Sequence, residues 1–274
     1  CFLLRYFVKE QCSFSMLIDC GLKLNDSVPG VSITDVVKDI ETVLLNGHEN
    51  VKPKLDLLVV THEHWDHVSG FHPDLKLFDD FDIKKIWMAW TENPKDEEAS
   101  KIREHVLKNT TALHLANEKL KNTQRSNDED NRSLKAAGNL SSARQHFQGA
   151  IEEVISFFGP LSATETESGI VLKDKYAVSM NSLKAMEHVK SFANKDAALE
   201  YVYPGNKFDN LINLDGVRIY VLGPPKSAML NKENPSSGIK KETYFGFGAT
   251  QFQGFSDALL SSLSVSSSDR SAPF

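Results

Sequence analysis

Cysteine is scarce: the chain has three, Cys1, Cys12 and Cys20, all within the first twenty positions. An odd, clustered set excludes the evenly spread disulfide framework of a small secreted domain, and no C-x2-C pair is present for a zinc ribbon. Reduced thiols in a cytoplasmic protein are therefore expected. Long apolar runs are missing too, and none approaches the roughly 18–20 residues of a membrane helix. Positive charge is not in excess. Lys and Arg number 31 against 37 Asp and Glu, a net charge of −6, which favours solubility and weakly opposes non-specific nucleic-acid binding. The opening residues Cys1-Phe2-Leu3-Leu4 include no methionine, and residues 261–268 are nearly all serine. The chain is accordingly expected to be a piece of a longer one. Its first ten residues carry Arg5, Lys9 and Glu10 and suit a strand better than a signal peptide. What is present is ordinary: 274 residues, 41% hydrophobic and 25% charged, enough to bury a core.

Patterning predicts an α/β layer structure. Residues 2–8 and 14–18 are β-rich runs around a polar turn, hence a hairpin. Residues 32–45 place Ile33, Val36, Val37, Ile40, Val43 and Leu44 on one helical face, with Ser32 as N-cap and Gly47 as stop. Leu55–Val60 reads as a buried strand, 67–80 as the start of a helix and Ile83–Trp90 as a further strand. Residues 95–158 are charge-dense and poor in Gly and Pro. They predict a long helical excursion broken by a polar loop near Asn122–Asn131, with an apolar stripe of Phe147, Ile151, Val154, Ile155 and Phe158. A helix follows at 179–193, with strands at Ile170–Leu172 and Val217–Leu222. Residues 244–255 are aromatic and glycine-rich and lack the lysine of a phosphate loop.

The sharp signal is His62-x-His64-x-Asp66-His67. Composition alone gives this pattern roughly 0.0007 times by chance. It directly follows an apolar strand, where α/β sheets place ligands. Crowding three imidazoles and a carboxylate costs desolvation unless a divalent metal makes the cluster stabilising. By alternation His62 and His64 reach one metal from one side, whereas Asp66 and His67 point elsewhere and serve a second. Two ions about 3.5–4 Å apart can clamp a substrate oxygen and bring the pKa of bound water to near 7. Zn suits these donors first, with Fe or Mn open. Asp66 is also the group placed to take a proton. His72 reads as a surface or capping residue and His48 as a helix-end charge. His105, His114, His146 and His188 read as ordinary helix residues, one of which could be recruited as a third ligand. Trp65 shields the metal or packs; Trp87 and Trp90 are core and edge residues.

His62-x-His64-x-Asp66-His67 resembles the metal motif of the metallo-β-lactamase superfamily. Ile18-Asp19-Cys20-Gly21 resembles its early strand-ending Asp-x-Gly, whose aspartate orients the metal loop. Val68-Ser69-Gly70-Phe71 resembles the helix start after the motif, and Cys1-Phe2-Leu3-Leu4 the first strand. Val221-Leu222-Gly223-Pro224-Pro225 resembles the branch related to DNA-uptake competence proteins. The resemblance implies an αββα sandwich with a metal site along its edge: residues 1–94 hold the metal motif, 196–274 the return to the sheet, and the large helical insertion read at 95–195 matches no motif of the family. It implies a hydrolase whose metal-bound hydroxide attacks an ester, thioester, amide or phosphodiester. Two metals would be held by His62, His64, Asp66 and His67, with Asp19 in support.

Family members add a bridging Asp and a final His later in the chain. Here all nine histidines lie at or before His188, and Asp209, Asp215, Asp257 and Asp269 lack the strand-end setting. This chain alone is therefore expected to bind metal weakly or incompletely. The expected partner is a small-molecule or phosphodiester substrate; nucleic acid stays open but is not indicated by charge, and no membrane is expected. The alternative is a non-catalytic metal-binding or protein-interaction module with a degenerate site.

Overall fold

A computed structural model describes residues 1–23, 30–47, 51–130, 148–159, 161–162, 179–193, 197–209 and 211–227. The described residues divide into two compact units. The first comprises Cys1–Ile102 and Ser156–Ser227; the second holds the described part of Arg103–Ile155. Among the described residues, no helix is long and apolar enough to cross a membrane.

The first unit is mixed α/β. Strands β1 (Phe2–Val8) and β2 (Gln11–Ile18) form the expected antiparallel hairpin, with Lys9 and Glu10 at positive φ in its turn. Next to β2 run β4 (Leu57–Val60), β6 (Lys85–Ala89) and β9 (Ala198–Val202), each parallel to its neighbour, giving the order β1-β2-β4-β6-β9. Period-2 alternation sorts the side chains. Leu58, Val60, Ile86 and Met88 enter one core with α1 (Ile33–Leu45) and α5 (Asn181–Phe192). Leu57 and Trp87 enter the other with Phe14, Val202 and Leu214. Each fully buried aliphatic contributes roughly 1.5–3 kcal/mol relative to exposure.

Local chemistry sets the element ends. Ser32 caps α1 in a reciprocal capping box with Asp35. The helix closes on Asn46 in the left-handed region, with Gly47 following at φ 80°.

The expected strand Leu55–Val60 is two strands. Asp56 turns its carboxylate to the Ser15 backbone N–H (2.9 Å), so β3 (Lys54–Leu55) leaves to pair with β5 (Asp82–Ile83). The expected strand Ile83–Trp90 is divided in the same way between β5 and β6, and Trp90 begins a 3-10 turn. The expected helix over 67–80 is only α2 (Trp65–Val68) and a 3-10 turn (Ser69–Phe71), after which Pro73 bars continuation. Conversely, the polar loop expected near Asn122–Asn131 is helix as far as α3 (Glu97–Asp130) runs. Asn122–Asp130 contains no Gly or Pro, and its polar residues cost only tenths of a kcal/mol each, up to about 0.7, in a helix.

Residues 148–156 form a further helix, α4, with Ile151 buried but Val154 exposed, so the stripe is narrower than expected. The strand expected at Val217–Leu222 contracts to β11 (Ile219–Tyr220), paired with β10 (Lys207–Phe208). β7 (Leu161–Ser162) and β8 (Ser179–Met180) form a two-stranded ladder. The readings on Ile170–Leu172, Phe147, 244–255 and 261–268 lie outside the described residues.

Candidate metal centre

The loop after β4 is built against the end of β2. Asp19 sits at φ 52°, where an aspartate is tolerated, and its N–H donates to Val59 O. Cys20 N–H donates to His67 O (2.8 Å), Gly70 N–H to Cys20 O (2.9 Å) and Leu22 N–H to Ser69 Oγ (2.9 Å). Gly21 is required by closeness: a Cβ there would lie 2.5 Å from the carbonyl carbon of Asp66.

Within this lacing, one buried carboxylate organises two imidazoles. Asp19 accepts from Thr61 N–H at Oδ1 (2.8 Å), and at Oδ2 from Thr61 Oγ1 (2.6 Å) and His67 Nδ1 (2.8 Å). A carboxylate only accepts, so His67 carries a proton on Nδ1, and in the neutral ring the lone pair is then on Nε2. Thr61 has a single hydroxyl proton, and it is donated in the hydrogen bond to Asp19 Oδ2. The Thr61 oxygen therefore accepts from His62 Nδ1 at 2.8 Å, which leaves the His62 Nε2 lone pair free as well. Asp19 thus sets the tautomer of both rings, one directly and one through a hydroxyl.

The imidazoles gather. The His62 ring centroid lies 4.0 Å from that of His67 and 4.6 Å from that of His64. The expected division into two sides does not hold, because α2 starts at Trp65 and its turn carries His67 back to His62. His67 Nε2 lies 3.7 Å from Asp66 Oδ2, while Asp66 Oδ1 is buried without a hydrogen-bond partner. Burial, then the neighbouring His67 and His64, pushes the His62 imidazole down to about 4, and burial also lowers that of His64. Both rings are neutral near pH 7, the form in which imidazole donates a lone pair. Among the described residues, no group of three or more His, Cys, Asp or Glu is arranged to hold a metal ion as it stands. The four donors are neighbours and not a closed cage.

Residues beyond the motif complete the surroundings. Trp65 N–H donates to Phe157 O (2.6 Å), and Gly159, at φ 77°, lies so close that a Cβ would meet the Trp65 ring at 2.6 Å. Phe157 and Phe158 stand 5.2 and 5.7 Å from the His64 ring. In the sequence Phe158 belongs only to an apolar stripe, and no local motif links Phe157 to Trp65. Trp65 packs against this segment and the edge of His72, which is buried and not on the surface. His188 is committed elsewhere: Nδ1 donates to Phe71 O (2.8 Å) and Nε2 lies 3.2 Å from Asp79. His114 is held low by burial beside Glu118 and Lys121 on α3. His48 and His146 lie outside the described residues. Trp87 and Trp90 are both buried. No family model, curated protein or solved structure matches this chain.

Proposed function

We propose that this chain carries the metal loop of a metal-dependent hydrolase of the metallo-β-lactamase type, its sheet being one half of an αββα sandwich. The observation that carries the reading is the Asp19 relay, which leaves Nε2 lone pairs on His62 and His67 beside the Asp66 carboxylate. A carboxylate behind a ligating imidazole is the usual support of a metal-binding histidine. The donor set fits a divalent cation: two oriented nitrogens, a third imidazole at His64, and a buried Asp66 oxygen that lacks any partner. Such an oxygen destabilises the fold unless a cation or donor satisfies it. Two ions are proposed, Zn first by donor type, with Fe and Mn as the alternatives.

Bound there, the metal would supply the Lewis acidity that makes water a nucleophile at neutral pH towards an ester, amide or phosphodiester. The chain's own residues do the rest. Asp19 holds two rings in their ligating tautomers, Thr61 passes that constraint to His62, and Asp66 is the carboxylate placed to take a proton from attacking water. A phosphodiester is the preferred substrate class, on the resemblance of Val221–Pro225 alone, and a cytoplasmic setting is proposed from cysteine usage. One observation favours a second reading, a non-catalytic metal-binding or interaction module: among the described residues the donors do not close a cage.

Elemental analysis and bis-p-nitrophenyl phosphate hydrolysis, in wild type and His64→Ala, separate the two. Bound metal with hydrolysis lost in the variant supports the hydrolase. A chain that folds without metal and hydrolyses nothing supports the module.

A further inference from the structure

We infer that Phe157 and Phe158 form an aromatic specificity wall beside His64, selecting substrates that carry an aryl or similarly flat apolar group next to the bond acted on. The inference deepens the hydrolase reading and rests on it for the reaction, although the binding it describes needs no metal.

Both phenyl positions are fixed by backbone contacts. The carbonyl of Phe157 accepts from Trp65 N–H (2.6 Å) and that of Phe158 from Ser182 N–H (3.3 Å). Gly159 then turns the chain at φ 77° directly over the Trp65 ring, a fit that any larger residue would break. The wall is thus attached to the same helical turn that carries Asp66 and His67. The two rings meet His64 differently: Phe157 is tilted at 33° to the His64 plane, while Phe158 stands edge-on at 83°. Both rings therefore border the imidazole, one tilted toward its plane and one across its edge.

Packing alone does not account for the pair. Phe157, Phe158 and His64 are all half-buried, so each keeps part of its surface accessible. Core aromatics of this unit, such as Phe71 and Phe78, are fully enclosed. Two pre-positioned rings beside an imidazole bind a flat apolar group without ordering a mobile side chain first.

The test is an NMR titration of the full, metal-free chain with benzamide and, separately, acetamide, following the His64 ring protons. The wall predicts about three- to tenfold tighter binding of benzamide, the range of one aromatic contact. In Phe157→Ala/Phe158→Ala the ratio should fall to about one. Phe158→Leu keeps the apolar bulk and controls for folding, and should give an intermediate ratio. Equal binding of the two amides, no benzamide shift at His64, or a ratio unchanged in the double variant would each overturn the inference. Failure of the hydrolase reading looks different: the benzamide preference stays while zinc uptake and phosphodiester hydrolysis are absent.

Discussion

Two loops leave adjacent parallel strands at the same edge of the sheet, and they use polar groups in opposite ways. After β6, residues Trp90–Glu98 are tied into the fold. Trp90 Nε1 donates to Pro224 O (2.7 Å), Asn93 Nδ2 to Tyr203 Oη (2.9 Å), Lys226 Nζ to Asp96 (2.7 Å), and Ser227 Oγ to Glu98 (2.6 Å). The Lys226 ammonium also lies 4.4 Å over the Trp90 ring. After β4, the loop at Thr61–Val68 is held just as firmly by Asp19 and the 19–22 backbone, yet leaves Asp66 Oδ1 and the His62 Nε2 lone pair unused. The first loop is a clasp whose groups satisfy one another. The second is rigid but unsatisfied, the condition for binding something else.

Substitutions should therefore separate the two by what they damage. Asp19→Ala is expected to be the most harmful: three hydrogen bonds to one carboxylate disappear and Ala must hold φ 52°. A loss of about 3 kcal/mol in urea unfolding is expected, together with a 10–100-fold drop in zinc affinity. Gly21→Ala pushes a methyl into the Asp66 backbone and should cost about 2 kcal/mol; an unchanged unfolding midpoint would mean the loops are not in contact. Asp66→Asn should lower zinc affinity at least tenfold while leaving the metal-free chain about as stable as wild type, because the one-third-exposed carboxylate gives up only a 3.7 Å approach to His67. Lys226→Met should do the reverse, lowering the melting temperature without touching zinc affinity. If Lys226→Met weakens zinc binding, the clasp belongs to the site.

Acid sharpens the contrast further. The folded chain holds His62 near 4, below the 6.5 of an ordinary imidazole, so as pH falls the unfolded chain takes up this proton first. In the metal-free chain this contribution to stability is complete above about pH 6.5 and is lost as pH falls toward 4. His62→Gln should flatten that part of the stability–pH curve. The smallest effect concerns thiols. Cys1 and Cys12 are exposed, whereas Cys20 is fully buried and its thiol is pushed up to about 12 by burial. Native alkylation should modify two cysteines and spare Cys20.

Much of this was legible in the chain. The hairpin, α1 with its Ser32 cap, and α5 follow from periodicity and capping chemistry. The cluster of His62, His64, Asp66 and His67 stands out by composition alone, and Asp19 by the resemblance of Ile18-Asp19-Cys20-Gly21 to an Asp-x-Gly motif. Other features depend on distant partners. The return to the sheet from residue 196 is expected, but β9 itself is not marked by pattern, because Glu200 interrupts its apolar run; in the fold that carboxylate accepts from Trp87 Nε1 (3.1 Å) and pairs with Lys85. The break at Asp56 comes from a side chain bonding to a strand 41 residues away. Thr61 drew no attention as a sequence letter, since its role exists only once Asp19 and His62 flank it. Phe157 and Phe158 reach His64 across more than ninety residues, through contacts that no local pattern encodes.

The Asp19 relay is tested most directly by nitrogen-15 NMR of the histidine rings, recorded before and after addition of zinc. In the metal-free chain near pH 7, His62 and His67 should both carry the proton on Nδ1, and zinc should shift their Nε2 resonances while Nδ1 stays protonated. A proton on Nε2 of either ring, or zinc shifting Nδ1 instead, would contradict it.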